Sequence, residues 1–137
     1  MSQENTDLIR AIYDAFAAGD MAGVLGRMSP DIVWNEAENF PYADGNPYVG
    51  PDAILAGVFT RIGAEWDMFA AVPEEIVDGG DTVVALGRYH GTCKATGRTL
   101  DAQLAHVWRV AGGKAVRFQQ YTDTLQAARV TGAAGSI

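Results

Sequence analysis

The feature that most constrains the fold is a run of strand-like segments that closes the sequence. Each segment is rich in β-branched or aromatic residues and is bounded by turn residues. Four strands are predicted, over residues 67–78, 81–93, 99–111 and 114–122. The segments between them are short and contain glycine, such as Gly79-Gly80 and Gly112-Gly113. Because turns of this length join adjacent antiparallel strands, the C-terminal half is predicted to form consecutive hairpins.

The N-terminal third has helical spacing instead. A stripe of apolar residues recurs every three to four positions: Leu8, Ile9, Ile12, Tyr13 and Phe16. This spacing predicts an amphipathic helix that lies on an apolar surface. Asn5 or Thr6 is expected to cap its start, and Gly19 to supply the left-handed residue that ends it. Asp20 is expected to cap a short second helix that runs to about Met28.

A first strand and a third helix follow. The run Ile32–Glu36 predicts a strand, and Gly50-Pro51-Asp52 is typical of a helix start, because proline at the first position loses no hydrogen bond. The segment 37–49 between them is a long loop for a domain of this size. We expect it to border a pocket mouth as a mobile lid, since Phe40, Tyr42 and Tyr48 have no periodic face to join.

Helices that precede a run of hairpins predict an α+β fold, with three N-terminal helices packed on one face of an antiparallel sheet. With 137 residues, the chain is the size of one domain. We assign residues 1–130 to that single domain and expect residues 131–137, which are small and polar, to form a short flexible tail.

The balance of charges excludes whole classes of partner. Seventeen acidic residues against ten basic ones give a net charge of −7, which opposes binding to phosphate backbones, so no nucleic-acid partner is expected. The single cysteine, Cys93, excludes an intramolecular disulfide, and His90 and His106 have no metal-ligand spacing. We expect no metal and no cofactor. With no signal-like start and no apolar run of membrane-spanning length, we expect a cytoplasmic protein with no membrane partner.

Side-chain alternation selects the polar groups that can face a pocket. Successive residues of a strand point to opposite faces, and one face of each predicted strand is clearly the more apolar. On those apolar faces one polar residue stands out in each of three strands, namely Glu36, His106 and Gln120. A polar group on an apolar face must find a partner or serve a ligand.

Several motifs together resemble a known family. They are Ala18-Gly19-Asp20 after the first helix, Trp34 in the first strand, Gly50-Pro51-Asp52-Ala53-Ile54 at the third helix, and Val107-Trp108-Arg109-Val110-Ala111-Gly112-Gly113-Lys114 in the last hairpin, which ends near Tyr121-Thr122-Asp123. Their order and spacing, over roughly residues 5–125, resemble the nuclear transport factor 2-like superfamily, in its branch of SnoaL-like polyketide cyclases and ketosteroid isomerases. The resemblance implies a cone-shaped α+β barrel, in which a strongly curved sheet wraps around three helices, with a pocket at its wide mouth. It also implies a homodimer.

The resemblance also assigns roles to individual residues. Glu36 falls where ketosteroid isomerases keep their catalytic carboxylate base, and His106 where they keep the acid that donates to the developing oxyanion. The oxyanion tyrosine of those enzymes falls on Ile12, one place from Tyr13, which we name as a helper. The acid/base carboxylate of the cyclases falls on Gln120. We expect the wall of the ligand pocket to be formed by Phe16, Trp34, Phe40, Phe59, Trp108 and Gln120.

Three functional hypotheses stay open at this point. The first is a cofactor-independent isomerase, cyclase or lyase that abstracts a proton from a small apolar carbonyl compound and stabilises the enolate. The second is a non-catalytic binding module for an apolar metabolite, which Glu36 and His106 merely orient. The third is a dimerisation module whose pocket is vestigial. Fold alone does not decide among them.

Overall fold

Helices and strands occupy most of residues 2–132, the part of the chain that the computed structural model describes. The α-helices are α1 (Ser2–Ala17), α2 (Met21–Leu25), α3 (Pro51–Ile54), α4 (Thr60–Glu65) and α5 (Thr124–Thr131). The strands are β1 (Met28–Asn35), β2 (Tyr48–Val49), β3 (Trp66–Gly79), β4 (Thr82–Cys93), β5 (Thr99–Ala111) and β6 (Lys114–Thr122). The four predicted C-terminal strands are thus confirmed to within one residue at each end.

The strands form one curved, open sheet in the order β2-β1-β6-β5-β4-β3. The hairpins β3–β4, β4–β5 and β5–β6 are antiparallel, as predicted, and so is the pair β1–β2. The pair β1–β6 is parallel, which corrects the expectation of a wholly antiparallel sheet. Because β2 and β3 lie at opposite edges and do not pair, the sheet is open and does not close into a barrel.

The inner face of the sheet carries the core. In β5 every second residue from Leu100 to Val110 is buried, which confirms the predicted alternation. Helix α1 packs against β3, β4 and α2, and its buried residues Ile9, Ile12 and Tyr13 lie in the same core as Trp108. The predicted α+β class, with helices on one face of a curved sheet, is therefore confirmed.

The helix ends differ from the sequence expectation. Helix α1 begins at Ser2, so Asn5 and Thr6 lie inside it rather than at its cap: Asn5 donates to the carbonyl of Gly80, and Thr6 donates to that of Gln3. Gly19 has the predicted left-handed backbone, with φ of 72°. Asp20 caps α2 by accepting from the Gly23 N–H, but this helix ends at Leu25, three residues before Met28.

The third predicted helix is continuous but irregular. A π-helical turn, Leu55–Phe59, joins α3 to α4. Gly57 sits in this turn directly against the ring of Tyr48, where an added Cβ would lie 2.1 Å from a ring carbon. The wider turn and the missing side chain together let the loop aromatic pack under the helix, which fixes the loop beside the pocket.

The C-terminal helix α5 was not predicted. Asp123 caps it by accepting from the Gln126 N–H, and Gly132 ends it with φ of 83°. The division into a domain over 1–130 and a tail over 131–137 stays a prediction. Thr131 is the last residue of α5, and residues 133–137 lie outside the described residues. Within the described chain, no helix has the length and apolar character to cross a membrane.

Candidate active site

A single cavity between the helices and the inner face of the sheet collects every site residue predicted from the sequence. It encloses about 520 Å³ of empty volume, counted with its open mouth. The predicted site residues that line it are Tyr13, Phe16, Trp34, Glu36, Phe40, Phe59, His106, Trp108 and Gln120. Tyr89, which the sequence analysis did not select, lines it too. The polar groups of the wall are thus few and gathered in an otherwise apolar surface.

Glu36 directly follows β1, and its side chain lies on the inner face of the sheet, as do those of Ile32 and Trp34. Its residue is only 3% exposed. One carboxylate oxygen, Oε2, accepts from the indole N–H of Trp34 at 3.1 Å. Among the described residues, no donor lies within hydrogen-bond distance of the other oxygen, Oε1. The carboxylate therefore has one oxygen held by the protein and one left for an occupant of the cavity.

The backbone of Glu36 is held separately from its side chain. Its N–H donates to Oδ1 of Asn46 at 2.9 Å, and its carbonyl accepts from Nδ2 of the same side chain at 2.8 Å. The side-chain amide of Asn46, in the loop 37–49, therefore bonds both backbone polar groups of Glu36. These two bonds fix the position of the Glu36 backbone and hence the point from which its side chain extends.

Burial raises the pKa of the Glu36 carboxyl to about 7. The cause is the loss of water around the charged form, which the Trp34 hydrogen bond and the positive charge of Arg61 offset only in part. A carboxyl with this pKa is ionised in an appreciable fraction of molecules at neutral pH. It is also basic enough there to accept a proton.

His106 lies on β5 between two tyrosines and is 4% exposed. Its Nδ1 is 2.5 Å from the hydroxyl of Tyr13, and its Nε2 is 2.6 Å from the hydroxyl of Tyr89. Both ring nitrogens are therefore engaged. A direct hydrogen bond from His106 to a ligand would have to replace one of these two bonds, and its role as a donor stays a prediction.

Burial lowers the pKa of His106 to about 3, because desolvation penalises the imidazolium. The ring is therefore neutral at physiological pH, with a proton on one nitrogen only. Burial acts on the tyrosines in the opposite sense to His106: it raises the pKa of Tyr13 and that of Tyr89, so both stay protonated. The result is a neutral cluster of hydroxyl groups around an uncharged ring.

Gln120, on β6, connects this cluster to the segment that carries the carboxylate. Its Oε1 accepts from the N–H of Ala37 at 2.9 Å, and its Nε2 donates to the Tyr89 hydroxyl at 2.8 Å. The amide is buried and both of its ends are used. Gln120 therefore fixes Tyr89 relative to the chain immediately after Glu36, and has no ionisable proton to exchange.

Glu36 and His106 make no hydrogen bond or ion pair with each other in the described chain. His106 is occupied by the two tyrosines, and the pKa of Glu36 moves up while that of His106 moves down. Two groups in contact would each favour the other's charged form and shift in the opposite directions. The two groups therefore do not form a hydrogen-bonded carboxylate–imidazole dyad.

Aromatic faces form the remaining wall. Trp34 stacks on Phe118 with ring centroids 3.7 Å apart, and it meets Trp108 edge to face at 5.7 Å. Phe16 and Phe59 lie 5.7 Å apart. Flat faces of this kind favour an apolar, planar occupant.

The loop 37–49 borders the cavity but is strongly braced. Phe40 lines the cavity wall and is buried. Tyr42 donates to Glu65 at 2.6 Å and lies under the guanidinium of Arg61, which also pairs with Asp44 at 2.8 Å. The expectation that the loop aromatics have no face to join is therefore wrong. Because these aromatics are anchored, the mobile-lid hypothesis loses the observation on which it rested.

Tyr89 is the polar site residue that the sequence analysis missed. It lies on the buried face of β4, at even spacing from Val83 and Ala85. The alternation rule that selected Glu36 and His106, applied to residues 81–93, would have found it as the polar residue on that apolar face. Cys93, further along the same face, is a buried free thiol. Across residues 2–132, no three His, Cys, Asp or Glu side chains come together as a metal site.

The domain model of the SnoaL-like family matches residues 9–118. The chain belongs to the SnoaL-like domain family. This confirms the resemblance inferred from the order of its motifs. No curated protein matches the sequence of this SnoaL-like protein.

Solved structures of the same fold extend this result. The SnoaL-like protein is 40% identical to an NTF2-like protein from Burkholderia thailandensis E264, over 90% of this chain and 94% of that one, with a TM-score of 0.86. An NTF2-like protein of Burkholderia pseudomallei K96243 is 29% identical, over 93% and 97%, with a TM-score of 0.85. TerC, co-crystallised with polyporic acid, is 27% identical over 93% and 98%, with a TM-score of 0.84. These neighbours share the NTF2-like fold with the chain and do not specify a substrate.

Proposed function

We propose that this SnoaL-like protein is a cofactor-independent enzyme that abstracts a proton next to the carbonyl group of a small, mostly apolar compound. The observation that carries the proposal is Glu36, a buried carboxyl with a pKa of about 7 and one oxygen without a protein donor, facing an aromatic cavity. Perturbed carboxyls in clefts are candidates for proton transfer. The family, whose fold is of cyclase and isomerase type, supports the same chemistry.

The chemical step uses two sides of the cavity. The Glu36 carboxylate takes a proton from the carbon next to the carbonyl, so that the C–H bond breaks and its electron pair moves toward the carbonyl oxygen. The resulting enolate oxygen accepts a hydrogen bond from one of the two tyrosine hydroxyls bonded to His106. Returning the proton to another carbon gives an isomerase, and attack of the enolate on a second carbonyl gives a cyclase. Because the pocket excludes water, the hydrogen bond to the negatively charged enolate oxygen is stronger there than in solution.

The walls favour an uncharged, planar substrate. Trp34, Phe59 and Trp108 offer aromatic faces, and the described cavity wall carries no arginine or lysine to bind an acidic group. The likeness to a protein co-crystallised with polyporic acid supports a small organic ligand.

Hydrogen–deuterium exchange tests the proposal with a simple probe. We choose 2-tetralone, a flat bicyclic ketone with acidic C–H bonds beside the carbonyl, and follow its exchange with deuterated buffer by proton NMR. The wild-type protein is expected to accelerate exchange, and Glu36→Gln to lower that acceleration by about 100- to 10,000-fold, the usual contribution of general-base catalysis. Glutamine keeps an oxygen for the Trp34 N–H but cannot take the proton.

Glu38→Gln is the matched control. Glu38 lies two residues away, is exposed, and loses the same charge on substitution. It should exchange 2-tetralone at the wild-type rate. Equal rates for wild type and Glu36→Gln would overturn the proposed base. Binding of 2-tetralone with no acceleration of exchange by the wild-type protein would instead favour the non-catalytic binding module.

A further inference from the structure

The cluster around His106 holds one more proton than it can use internally. Tyr13, Tyr89 and the neutral His106 ring together carry three exchangeable protons, one each. The two hydrogen bonds that join them, Tyr13–Nδ1 and Nε2–Tyr89, consume two. In the described chain, neither hydroxyl has another acceptor within reach. One hydroxyl proton is therefore left over in every neutral state of the cluster.

Each tyrosine hydroxyl has one further hydrogen-bond partner outside the cluster, and both of these partners are donors. The indole N–H of Trp108 donates to the Tyr13 hydroxyl at 3.0 Å, and indole nitrogen is a donor only. Gln120 donates from Nε2 to the Tyr89 hydroxyl, because its oxygen already accepts from the Ala37 N–H. Neither end can take the spare proton. Each end instead occupies one lone pair of a tyrosine oxygen.

The position of the ring proton decides which tyrosine holds the spare one. When His106 carries its proton on Nε2, it donates to Tyr89, Tyr13 donates to Nδ1, and the Tyr89 proton is spare. When the proton is on Nδ1, it donates to Tyr13, Tyr89 donates to Nε2, and the Tyr13 proton is spare. Both hydroxyls belong to residues that line the cavity, so the spare proton is available to an occupant.

We infer that Tyr13 and Tyr89 are alternative hydrogen-bond donors to the ligand oxygen, and that His106, through its tautomer, is the positioning residue that selects between them. The inference deepens the proposed function and rests on it for the identity of the ligand oxygen as an enolate. The low pKa of His106 supports it, because an imidazolium would donate to both tyrosines and leave both protons spare. Passing from the first tautomer to the second requires one proton to leave at Tyr89 and one to enter at Tyr13, so the cluster conserves protons.

The two conservative tyrosine variants should drive the ring to opposite tautomers. Tyr13→Phe removes the hydroxyl at Nδ1, so the ring proton is expected on Nε2, where Tyr89 accepts it. Tyr89→Phe removes the hydroxyl at Nε2, so the proton is expected on Nδ1, toward Tyr13. Nitrogen-15 NMR of histidine-labelled protein, free of ligand, identifies the nitrogen that bears the proton. Tyr121→Phe, an exposed tyrosine outside the cavity, should leave the wild-type spectrum unchanged.

Binding of 2-naphthol, a planar hydroxyl compound shaped like the enol of 2-tetralone, tests the donors themselves. Each single variant keeps one spare hydroxyl proton, so each is expected to bind within about tenfold of wild type by calorimetry. The double variant Tyr13→Phe/Tyr89→Phe has none and should bind at least about tenfold more weakly than the product of the single effects. A merely structural role would give additive losses and would leave the tautomer unmoved.

The possible results distinguish a failure of this inference from a failure of the proposed function. The same tautomer in both single variants, an imidazolium signal at neutral pH in the wild-type protein, additive losses, or no binding of 2-naphthol by wild type would each overturn the inference. The wild-type spectrum decides the imidazolium question even if a variant fails to fold, which circular dichroism reports. Opposite tautomers together with no exchange of 2-tetralone would support the donor pair while rejecting the proposed enzyme.

Discussion

Glu36 and His106 experience the same burial and respond in opposite directions. Desolvation raises the pKa of the carboxyl to about 7 and lowers that of the imidazole to about 3, so that both favour their neutral forms. Above pH 7 the carboxylate becomes the main charge in the cavity, beside a ring that stays neutral. A base and a neutral hydroxyl cluster are therefore present together at physiological pH.

The rate of 2-tetralone exchange should follow the Glu36 carboxyl alone. We expect the rate to rise as the pH passes through about 7, because only the ionised carboxylate accepts a proton. It should then level off, with no fall up to about pH 10, because His106 does not titrate in this range and burial raises the pKa of Tyr13 and of Tyr89. A bell-shaped profile centred between pH 6 and 8 would contradict this assignment.

Glu36 should also cost stability at alkaline pH. Its folded-state pKa, about 7, lies above its ordinary value of 4.5, so the folded state holds the proton more tightly than the unfolded chain. Its contribution is therefore fully present below about pH 4.5 and is lost as the pH rises through 7. We predict that Glu36→Gln gains up to about 3 kcal/mol relative to wild type between pH 5 and pH 8. Urea unfolding at both pH values measures this change, and a difference independent of pH would refute it.

At the scale of elements, the loop 37–49 fixes the end of β1 that carries Glu36. The Asn46 side chain bonds both the N–H and the carbonyl of Glu36. We predict that Asn46→Ala destabilises the fold by about 1–2 kcal/mol and lowers the rate of 2-tetralone exchange as well, because the carboxylate is no longer fixed relative to the hydroxyl cluster.

Asn5→Ala is the control for this prediction. It removes one side-chain hydrogen bond, to the carbonyl of Gly80, away from the cavity. Thermal unfolding and exchange assays of both variants give the comparison. Asn5→Ala should lose stability but keep the exchange rate, and an equal loss of rate in the two variants would show that Asn46 acts through general stability only.

The elements that the sequence predicted well are those whose signals are local. The hairpin strands alternate along their own length, and their glycine turns are adjacent in sequence, so the bounds of β3 to β6 were predictable. The parallel pairing of β1 with β6 joins residues about 80 positions apart, and no local pattern encodes it. Helix α5 is short and only weakly apolar. The hydrogen bonds from Tyr48 to the Tyr42 carbonyl and from Arg61 to Asp44, which brace the loop, depend on the tertiary fold.

The candidate site was predictable to a similar degree and for the same reason. Alternation placed Glu36, His106 and Gln120 on the inner face of the sheet. The Tyr13–His106–Tyr89 cluster joins α1, β5 and β4, and its hydrogen bonds depend on the packing of α1 across the sheet. Strand parity can therefore name the inward-facing members of a cluster, but it cannot state their partners.

At the scale of the whole molecule, the outer face of the sheet carries an apolar patch. Cross-strand pairing brings together Val77, Val84, Leu86, Ala105, Val107 and Tyr121. Val77, Leu86 and Tyr121 are 41%, 37% and 56% exposed. The patch is flanked by charges of both signs, including Glu75 and Arg117. We propose that it forms a symmetric homodimer contact, since mixed surfaces of this kind can complement themselves.

Light scattering at micromolar concentration checks the dimer. We expect twice the mass of a single chain for the wild-type protein, and a single-chain mass for Leu86→Lys, which places a charge in the centre of the patch. Leu125→Lys is the control, because Leu125 is similarly exposed but lies on α5 outside the patch. A wild-type protein that is monomeric at this concentration would contradict the proposal.

The titration of the Glu36 side chain tests the central claim most directly. Carbon-13 NMR of glutamate-labelled protein follows each carboxyl carbon with pH, and the spectrum of Glu36→Gln identifies the signal of Glu36 by its disappearance. The account predicts a midpoint near pH 7 for this carboxyl, matching the midpoint of the exchange rate. A midpoint near its ordinary value of 4.5 would contradict the account, because the carboxylate would then be solvated and unsuited to act as the base.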